Sequence, residues 1–289
     1  MGWYAQDQIS LLENLHVLIG ARGDYFYQHS NVAGAETKAE DFAFSPRVGV
    51  TYLPIPQLAL YANFTRSFIP NFGPFTAARN QFDPSMGTQY EAGAKVDIVP
   101  GRVTSTVAVY RLTKTNVLAV DPTAGAGFFV QTGEQRSQGV EVDVTAQLAP
   151  GWKVIATYAY TDARITADTT VPVGNRIPLV ARNTGSFWTT YDLQTGPLKG
   201  LGAGIGLFAV GDRAGDLANS FGLPGYVRTD GALYYRKPEI FTRTNLLAQL
   251  NVQNLLDQDY FYSGGQGRGS AAFPGAPTTI LGSIKLEFY

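Results

Sequence analysis

Apolar and polar side chains alternate with a period of two along residues 138–161. Successive side chains of a β-strand point to opposite faces, so this spacing predicts strands with one apolar and one polar face. A turn at Ala149-Pro150-Gly151 divides the segment into a hairpin. In its first strand the apolar positions are Val140, Val142, Val144, Ala146 and Leu148, and the polar positions are Glu141, Asp143, Thr145 and Gln147.

The same period recurs over nearly the whole chain and predicts about 13 strands and no helix. The connections alternate between short turns rich in Pro, Gly or Asn and longer segments of about a dozen to twenty residues. We expect long loops at residues 28–41, 69–87 and 263–277, and a tight turn at Lys237-Pro238. No run approaches 18 consecutive apolar residues, which excludes a transmembrane helix.

This regular alternation is typical of an all-β, antiparallel, up-and-down transmembrane β-barrel, which has short turns at one end and long loops at the other. A mean hydropathy of -0.05 agrees with short amphipathic strands. Tyr side chains near strand ends, such as Tyr52, Tyr158 and Tyr226, suit the boundary between lipid and water. A soluble β-sandwich that acts as a binding module is the alternative for the strand pattern, and it would need no detergent.

On such a barrel the polar faces must line the lumen, because charge on the lipid face is costly. Asp24, Lys285 and Glu287 belong to this set of charged positions. The other residues that we expect to face the lumen are Arg22, Arg47, Glu91, Lys95, Glu141, Asp143, Arg228 and Asp230. We expect them to contact water or to pair across strands.

Composition removes several classes of function. The net charge of -1 argues against nucleic acid as a partner, since phosphate binding needs a basic surface. His16 and His29 are the only histidines, there is no Cys, and no neighbouring spacing predicts a metal site or a catalytic nucleophile. The Gly-rich run at 202–206 has no following helix and no phosphate-binding Lys, so small lumen-facing residues explain it better. We expect no enzymatic activity and no cofactor.

Several segments, in order and spacing, resemble the barrel of TonB-dependent siderophore receptors. The resemblance extends over essentially the whole chain and implies a bacterial outer-membrane location. The segments are Trp3-Tyr4-Ala5-Gln6-Asp7-Gln8, Arg47-Val48-Gly49-Val50-Thr51-Tyr52, Gln89-Tyr90-Glu91-Ala92-Gly93-Ala94-Lys95, Gln131-Thr132-Gly133-Glu134, Gly139-Val140-Glu141, Pro224-Gly225-Tyr226, Asn251-Val252-Gln253-Asn254-Leu255-Leu256-Asp257 with Tyr260, and Pro274-Gly275-Ala276-Pro277.

The resemblance implies that residues 1–289 form the C-terminal part of a barrel of about 22 strands, without the plug domain that precedes the family's barrel. The chain has no signal peptide, and an odd strand count would put its two termini at opposite ends, so we expect a fragment that lacks the preceding strands. Coupling to TonB would pass through the absent plug. The alternating apolar residues before the terminal Phe288-Tyr289 fit recognition by the barrel-assembly machinery, although Tyr289 and Thr278 depart from the family pattern.

The resemblance also implies that a ferric siderophore is the ligand and that outer-membrane lipid surrounds the barrel. Aromatic platforms and Arg often bind such chelates. The candidates in one loop region are Phe68, Phe72, Phe75 and Phe82, and those in another are Phe261, Tyr262 and Arg268. The alternative for these residues is that they pack the loops together. The alternative function is a passive porin-like or structural outer-membrane barrel.

Overall fold

The computed structural model describes residues 1–32, 35–71, 82–121, 123, 128–264 and 272–289. Strands make up all of the regular structure in these residues. They are β1 (Gly2–Leu12), β2 (Leu15–Val32), β3 (Ala35–Ile55), β4 (Leu58–Ile69), β5 (Ser85–Val99), β6 (Val103–Val120), β7 (Phe129–Ala149), β8 (Trp152–Ala167), β9 (Asn183–Asp192), β10 (Leu201–Val210), β11 (Arg213–Ala214), β12 (Gly222–Leu223), β13 (Tyr226–Phe241), β14 (Thr244–Gln253), β15 (Phe261–Gly264), β16 (Ala272–Pro274) and β17 (Thr279–Phe288).

Thirteen strands form one antiparallel sheet in the order β1-β2-β3-β4-β5-β6-β7-β8-β9-β10-β13-β14-β17. Each strand therefore pairs with the next main strand of the chain, as in an up-and-down barrel wall. The pairs β11-β12 and β15-β16 are separate small sheets in the connections that follow β10 and β14. Among the described residues β1 and β17 lie at the two edges, and the sheet is not closed.

Cross-strand register gives the sheet two chemically different faces. Val140 is opposite Val109 and Tyr160, and Val142 is opposite Val107 and Tyr158, so apolar residues continue across neighbouring strands. We call this side the apolar face. The other side, which carries Glu141, is the polar face. The alternation found in single strands is therefore maintained across the sheet, since a slip by one residue would mix the two faces.

Among the residues that the structure describes, no second layer packs on the sheet, which argues against the β-sandwich. Val109, Ile205, Leu233 and Ile284 lie on the apolar face, and all four are exposed. A soluble sandwich would bury such residues between two sheets. In the described part of the chain, the largest side chains that are fully buried are only Ile165 and Asn254. The all-β fold with 13 antiparallel strands is confirmed.

The connections lie at two ends of the sheet. The short-turn end carries the turns after β1, β3, β5, β7 and β13, and the connection at 193–200 after β9. The long-connection end carries the segments after β4, β6, β8, β10 and β14. The backbone N–H of Tyr289 donates to the Arg243 carbonyl at the short-turn end, while that of Tyr25 donates to the Met1 carbonyl at the other.

Several predicted boundaries differ from the structure: β5 begins at Ser85 inside the loop expected at 69–87, and the β15-β16 pair overlaps the loop expected at 263–277. Two further differences are larger. Residues 28–41 were expected to form a polar loop, but β2 and β3 continue as a paired hairpin up to Val32 opposite Ala35. A turn was expected at Lys237-Pro238, but β13 continues to Phe241 through a register irregularity, and the chain turns at 242–243. Pro cannot donate a hydrogen bond to the sheet, which is why a strand with Pro near its end resembled a turn in the sequence.

Candidate ligand-binding site

All eight residues predicted to face the lumen lie on the polar face. The register places Arg47 opposite Gly20 and Thr65, Glu91 opposite Asn63 and Tyr110, and Arg228 opposite Phe208, always on the side that carries Glu141. This face is one continuous surface. The remaining five that it carries are Arg22, Lys95, Glu141, Asp143 and Asp230.

Several of these charges are paired along one strand rather than across strands. Arg22 Nη2 lies 2.6 Å from Asp24 Oδ1, and Arg228 Nη2 lies 2.8 Å from Asp230 Oδ2. The two residues of each pair are two positions apart and therefore project from the same face. Within the described chain, Glu141 and Asp143 form no ion pair, which leaves local negative charge at the centre of the polar face.

A second feature of the polar face was not predicted: aromatic rings lie across directly opposed glycines. Tyr61 is opposite Gly93, Tyr110 opposite Gly139, Trp188 opposite Gly206 and Tyr234 opposite Gly202. A Cβ on Gly202 would lie 2.2 Å from Tyr234 Cε2, so the ring occupies the space that a side chain would need. The Gly-rich run 202–206 thus makes room for the rings of Trp188 and Tyr234.

The base of the connection after β4 is fixed to neighbouring strands. Gln131 Nε2 donates to the Asp83 carbonyl at 2.6 Å, and the Asp83 N–H donates to Gln131 Oε1 at 2.9 Å. Ser85 Oγ donates to the Asn116 carbonyl at 2.8 Å. These bonds hold the start of β5 against β6 and β7, and Phe82, directly before Asp83, is buried with 9% of its surface exposed.

The connections after β8 and β10 are joined by an ion pair and paired amide bonds. Arg176 Nη1 lies 2.7 Å from Asp212 Oδ2, and Arg176 Nη2 donates to the Asp212 carbonyl at 2.7 Å. Asn219 accepts from the Arg176 N–H at 2.8 Å and donates to the Arg176 carbonyl at 2.9 Å. The hydrogen bond from Arg176 holds the pKa of the Asp212 carboxyl below its ordinary value.

The connection after β14 is organised by Asn254, which is 1% exposed. Its amide donates to the carbonyls of Gln258 at 3.0 Å and Ala276 at 3.1 Å, and its N–H donates to Asp230 Oδ1 at 2.8 Å. A φ of 53° places Asn254 in the left-handed region, which Asn tolerates better than most residues. This residue ties both ends of the connection to the polar face.

The same connection contacts the one after β10. Arg213 Nη2 donates to the Phe261 carbonyl at 2.6 Å, and the Arg213 guanidinium lies 5.4 Å from the centre of the Tyr226 ring. Tyr226 in turn packs on Tyr260, with ring centres 4.4 Å apart. These contacts join the β15-β16 hairpin to the main sheet.

The predicted ligand residues are only partly brought together. Phe68 is half-buried and stacks on Phe26, with ring centres 5.8 Å apart. Phe82 is buried, and Phe261 is 39% exposed. Tyr262 belongs to β15, but its side chain lies outside the described part of the structure. The other three, Phe72, Phe75 and Arg268, lie outside the described residues altogether.

A cavity of about 600 Å³ lies between the ends of β6 and β7 and the connections after β8 and β10. Its lining combines apolar residues, such as Val120, Val171 and Leu217, with the carboxylates of Asp168 and Asp216. Hydrogen bonds from Ser220 lower the pKa of Asp216, and Asp168 accepts from the N–H groups of Thr170 and Val171. Mixed pockets of this size suit small-molecule ligands.

No group of three or more His, Cys, Asp or Glu residues in the described ranges could hold a metal ion. His16 accepts from, or donates to, Ser10 Oγ through Nδ1 at 2.9 Å. The described residues also contain no helix that is long and apolar enough to cross a membrane.

The fold and the two-faced sheet define the wall of an antiparallel outer-membrane barrel. The family model for the TonB dependent receptor-like β-barrel matches residues 2–255. The chain belongs to this family, whose members are outer-membrane β-barrel proteins.

Relatives match nearly the full chain. The metal-pseudopaline receptor of Pseudomonas aeruginosa is 36% identical over 98% of this chain and 40% of its own length. The ferrichrome outer membrane transporter and phage receptor of Escherichia coli is 38% identical over 91% of this chain and 35% of its own length. The chain thus spans about two fifths of these relatives.

Solved structures show the same fold. The ferric preacinetobactin receptor BauA of Acinetobacter baumannii superposes with a TM-score of 0.83 at 22% identity, over 99% of this chain and 42% of the receptor. The siderophore receptor PiuA of the same organism superposes with a TM-score of 0.80 at 24% identity, over 99% of this chain and 42% of that receptor.

Proposed function

We propose that this chain is the C-terminal barrel segment of an outer-membrane receptor that imports ferric siderophores or related metal chelates. The observation that supports this proposal most directly is the identity of 36–38% to receptors for such chelates over 91–98% of the chain. The comparisons do not favour a passive porin. We propose further that residues 1–289 are one barrel unit, that the segment has no enzymatic activity, and that a plug domain couples the whole receptor to TonB.

The ligand would enter at the long-connection end. Connections at that end are joined to one another by Arg176, Asp212 and Asn219, and by Arg213 with Phe261. Connections that are fixed to one another in this way would offer a chelate a preorganised surface. A preorganised surface loses less conformational entropy when the chelate binds. Phe68 and the exposed ring of Phe261 would offer aromatic surface, together with Phe72, Phe75, Phe82, Tyr262 and Arg268.

Below this entrance, the eight charged residues of the polar face would line the lumen. The register places them on one face of the sheet. If lipid contacts the opposite face, this charged face must line the interior of the barrel. The apolar face would contact outer-membrane lipid. The terminal strand β17, with Ile284, Leu286 and Phe288 on the apolar face, would be recognised by the barrel-assembly machinery.

Binding of ferrichrome, ferrioxamine B and ferric pyoverdine to the receptor that carries this chain tests the proposal. Saturable binding of at least one chelate is expected, and Phe261→Ala should weaken it. Phe241→Ala is the matched control, because Phe241 is an exposed ring in the strand end beside the turn at 242–243. A steady ionic conductance in liposomes, without saturable binding of any ferric chelate, would contradict the proposal and support a porin.

A further inference from the structure

A hollow interrupts the apolar face where β10, β13, β14 and β17 run side by side. Its volume is about 630 Å³, and its floor is formed by Ala248 and Gly282. In the described chain β17 is the edge strand of the sheet, and a Cβ on Gly282 would meet no atom of the chain within 4 Å. The larger side chains around it are Leu201, Leu233, Tyr235, Leu250 and Ile284. We call this feature the apolar notch.

The apolar notch lies near the short-turn end. Gly282 is opposite Leu250, and the pair Ala248–Ile284 lies two residues nearer to the turn at 242–243. Tyr235 is opposite Ala248 and lies at the edge of the notch nearest to the short turns. An amphipathic ring at this position suits the boundary between lipid and water.

Three cationic side chains lie near the edge of the notch that is closest to the short turns. Lys237 is two residues beyond Tyr235 on β13 and is opposite Leu246, which places it on the apolar face. Lys199 lies in the connection before β10, and Arg243 lies in the turn before β14. Within the described chain, no carboxylate lies within 4.0 Å of the cationic atoms of Lys199, Lys237 or Arg243.

The carboxylates nearby do not cancel this charge. Asp192 pairs with Arg236 at 2.7 Å, and Glu239 accepts a hydrogen bond from the Tyr289 hydroxyl at 3.2 Å. Lys285 likewise pairs with Glu287, so Lys199, Lys237 and Arg243 are the cations at this part of the end that lie outside salt-bridge distance of a described carboxylate. The turn at 100–102 is different, because Arg102 there donates to the carbonyls of Gln147 and Leu148.

We propose that the apolar notch binds one anionic glycerophospholipid of the leaflet at the short-turn end. An acyl chain occupies the space over Ala248 and Gly282, and the headgroup phosphate contacts Lys237. Lys199 and Arg243 add to the attraction for an anionic headgroup. The orientation, with short turns toward the periplasm, rests on the proposed outer-membrane receptor, since barrels of this type have short periplasmic turns.

Charge also argues against a second copy of the chain as the occupant. A symmetric dimer through this surface would place the same patch on both subunits. Lys237 of each subunit would then face a basic rim, and like charges oppose association. An anionic lipid instead places its acyl chain on the apolar floor and its headgroup beside the basic side chains.

The test measures retained lipid by native mass spectrometry. The receptor that carries this chain is placed in nanodiscs of phosphatidylethanolamine with an increasing fraction of phosphatidylglycerol. It is then released from the nanodisc inside the mass spectrometer, and the lipids that stay bound are counted. One retained phosphatidylglycerol is expected. Gly282→Leu fills the notch and should abolish retention. Lys237→Gln should weaken apparent affinity about fivefold, the effect of one cation near a lipid surface.

Matched controls separate the site from general lipid contact. Ala62→Leu places the same side chain on the apolar face of β4, and Lys153→Gln removes an exposed lysine from the polar face of β8. Neither should change retention. Equal retention of both lipids, unchanged retention in Gly282→Leu, or a dimer that Gly282→Leu abolishes would each overturn the proposal. No chelate is used, so failure here leaves the proposed siderophore function untouched.

Discussion

Trp188 lies across Gly206, its directly opposed partner on β10. A Cβ on Gly206 would stand 2.1 Å from Trp188 Cε3, and one on Gly204 would stand 2.8 Å from Trp188 Cζ2. The indole thus covers two glycines of the same strand. Glycine in a strand often marks a close approach by a neighbouring group, and here that group is a ring on the adjacent strand.

Gly206→Ala should destabilise the barrel by about 1–3 kcal/mol, because the added methyl forces the indole out of its position. Urea unfolding, followed by tryptophan fluorescence, measures the change. Gly49→Ala is the control, since its Cβ would meet no atom closer than 3.9 Å. A double-mutant cycle with Trp188→Ala should recover much of the loss, and additive effects would refute the contact.

Replacing Asn254 should loosen the connection after β14. Asn254→Ala removes two amide donors from a buried position and is expected to cost about 1–3 kcal/mol. Asn254→Gly keeps the left-handed backbone without the amide, so it isolates the contribution of the side chain. Limited proteolysis within residues 254–278 measures the loosening. Equal resistance of wild type and both variants would show that the amide bonds do not hold this connection.

Two ion pairs on the polar face should differ in importance. Asp230 is 8% exposed and accepts from both Arg228 and the Asn254 N–H. Asp230→Ala leaves a half-buried guanidinium and a buried N–H without their partner, and about 3 kcal/mol of stability should be lost. Asp24→Ala, in an exposed pair, should change the unfolding midpoint little. The prediction fails if the two substitutions shift the urea midpoint equally.

The Arg176–Asp212 contact should depend on pH. The pKa of Asp212 is lowered in the folded protein by the hydrogen bond from Arg176. Its contribution is therefore complete above the ordinary carboxyl pKa of about 4 and is lost as pH falls through the lower folded value. The protection of residues 168–182 against hydrogen exchange, expressed relative to the intrinsic exchange rate at each pH, should fall at acidic pH. Asp212→Asn should have lower protection at neutral pH, and its protection should no longer change as pH falls; a protection profile identical to that of wild type would contradict the prediction.

Alternation along single strands was enough to predict the two faces of the sheet. Val140 and Glu141 differ strongly in polarity, so only one register keeps all apolar side chains on one face and all charged side chains on the other. Residues 28–41 gave no such contrast, because polar residues occupy both faces, and the hairpin was missed. The ring–glycine pairs could not be predicted, since they require the register between strands. Asn254 likewise depends on carbonyls that approach it from residues 258 and 276.

The strands are unequal in length. The β2, β3, β6 and β7 strands have 18–21 residues, whereas β9, β10, β14 and β17 have 10 each. About 9–11 residues suffice to cross the hydrocarbon layer. The longer strands therefore extend beyond that length as paired hairpin wall at the long-connection end. Beside β9, β10 and β14 the long connections after β8, β10 and β14 take the place of this wall, and they are held by side-chain contacts such as Arg176–Asp212.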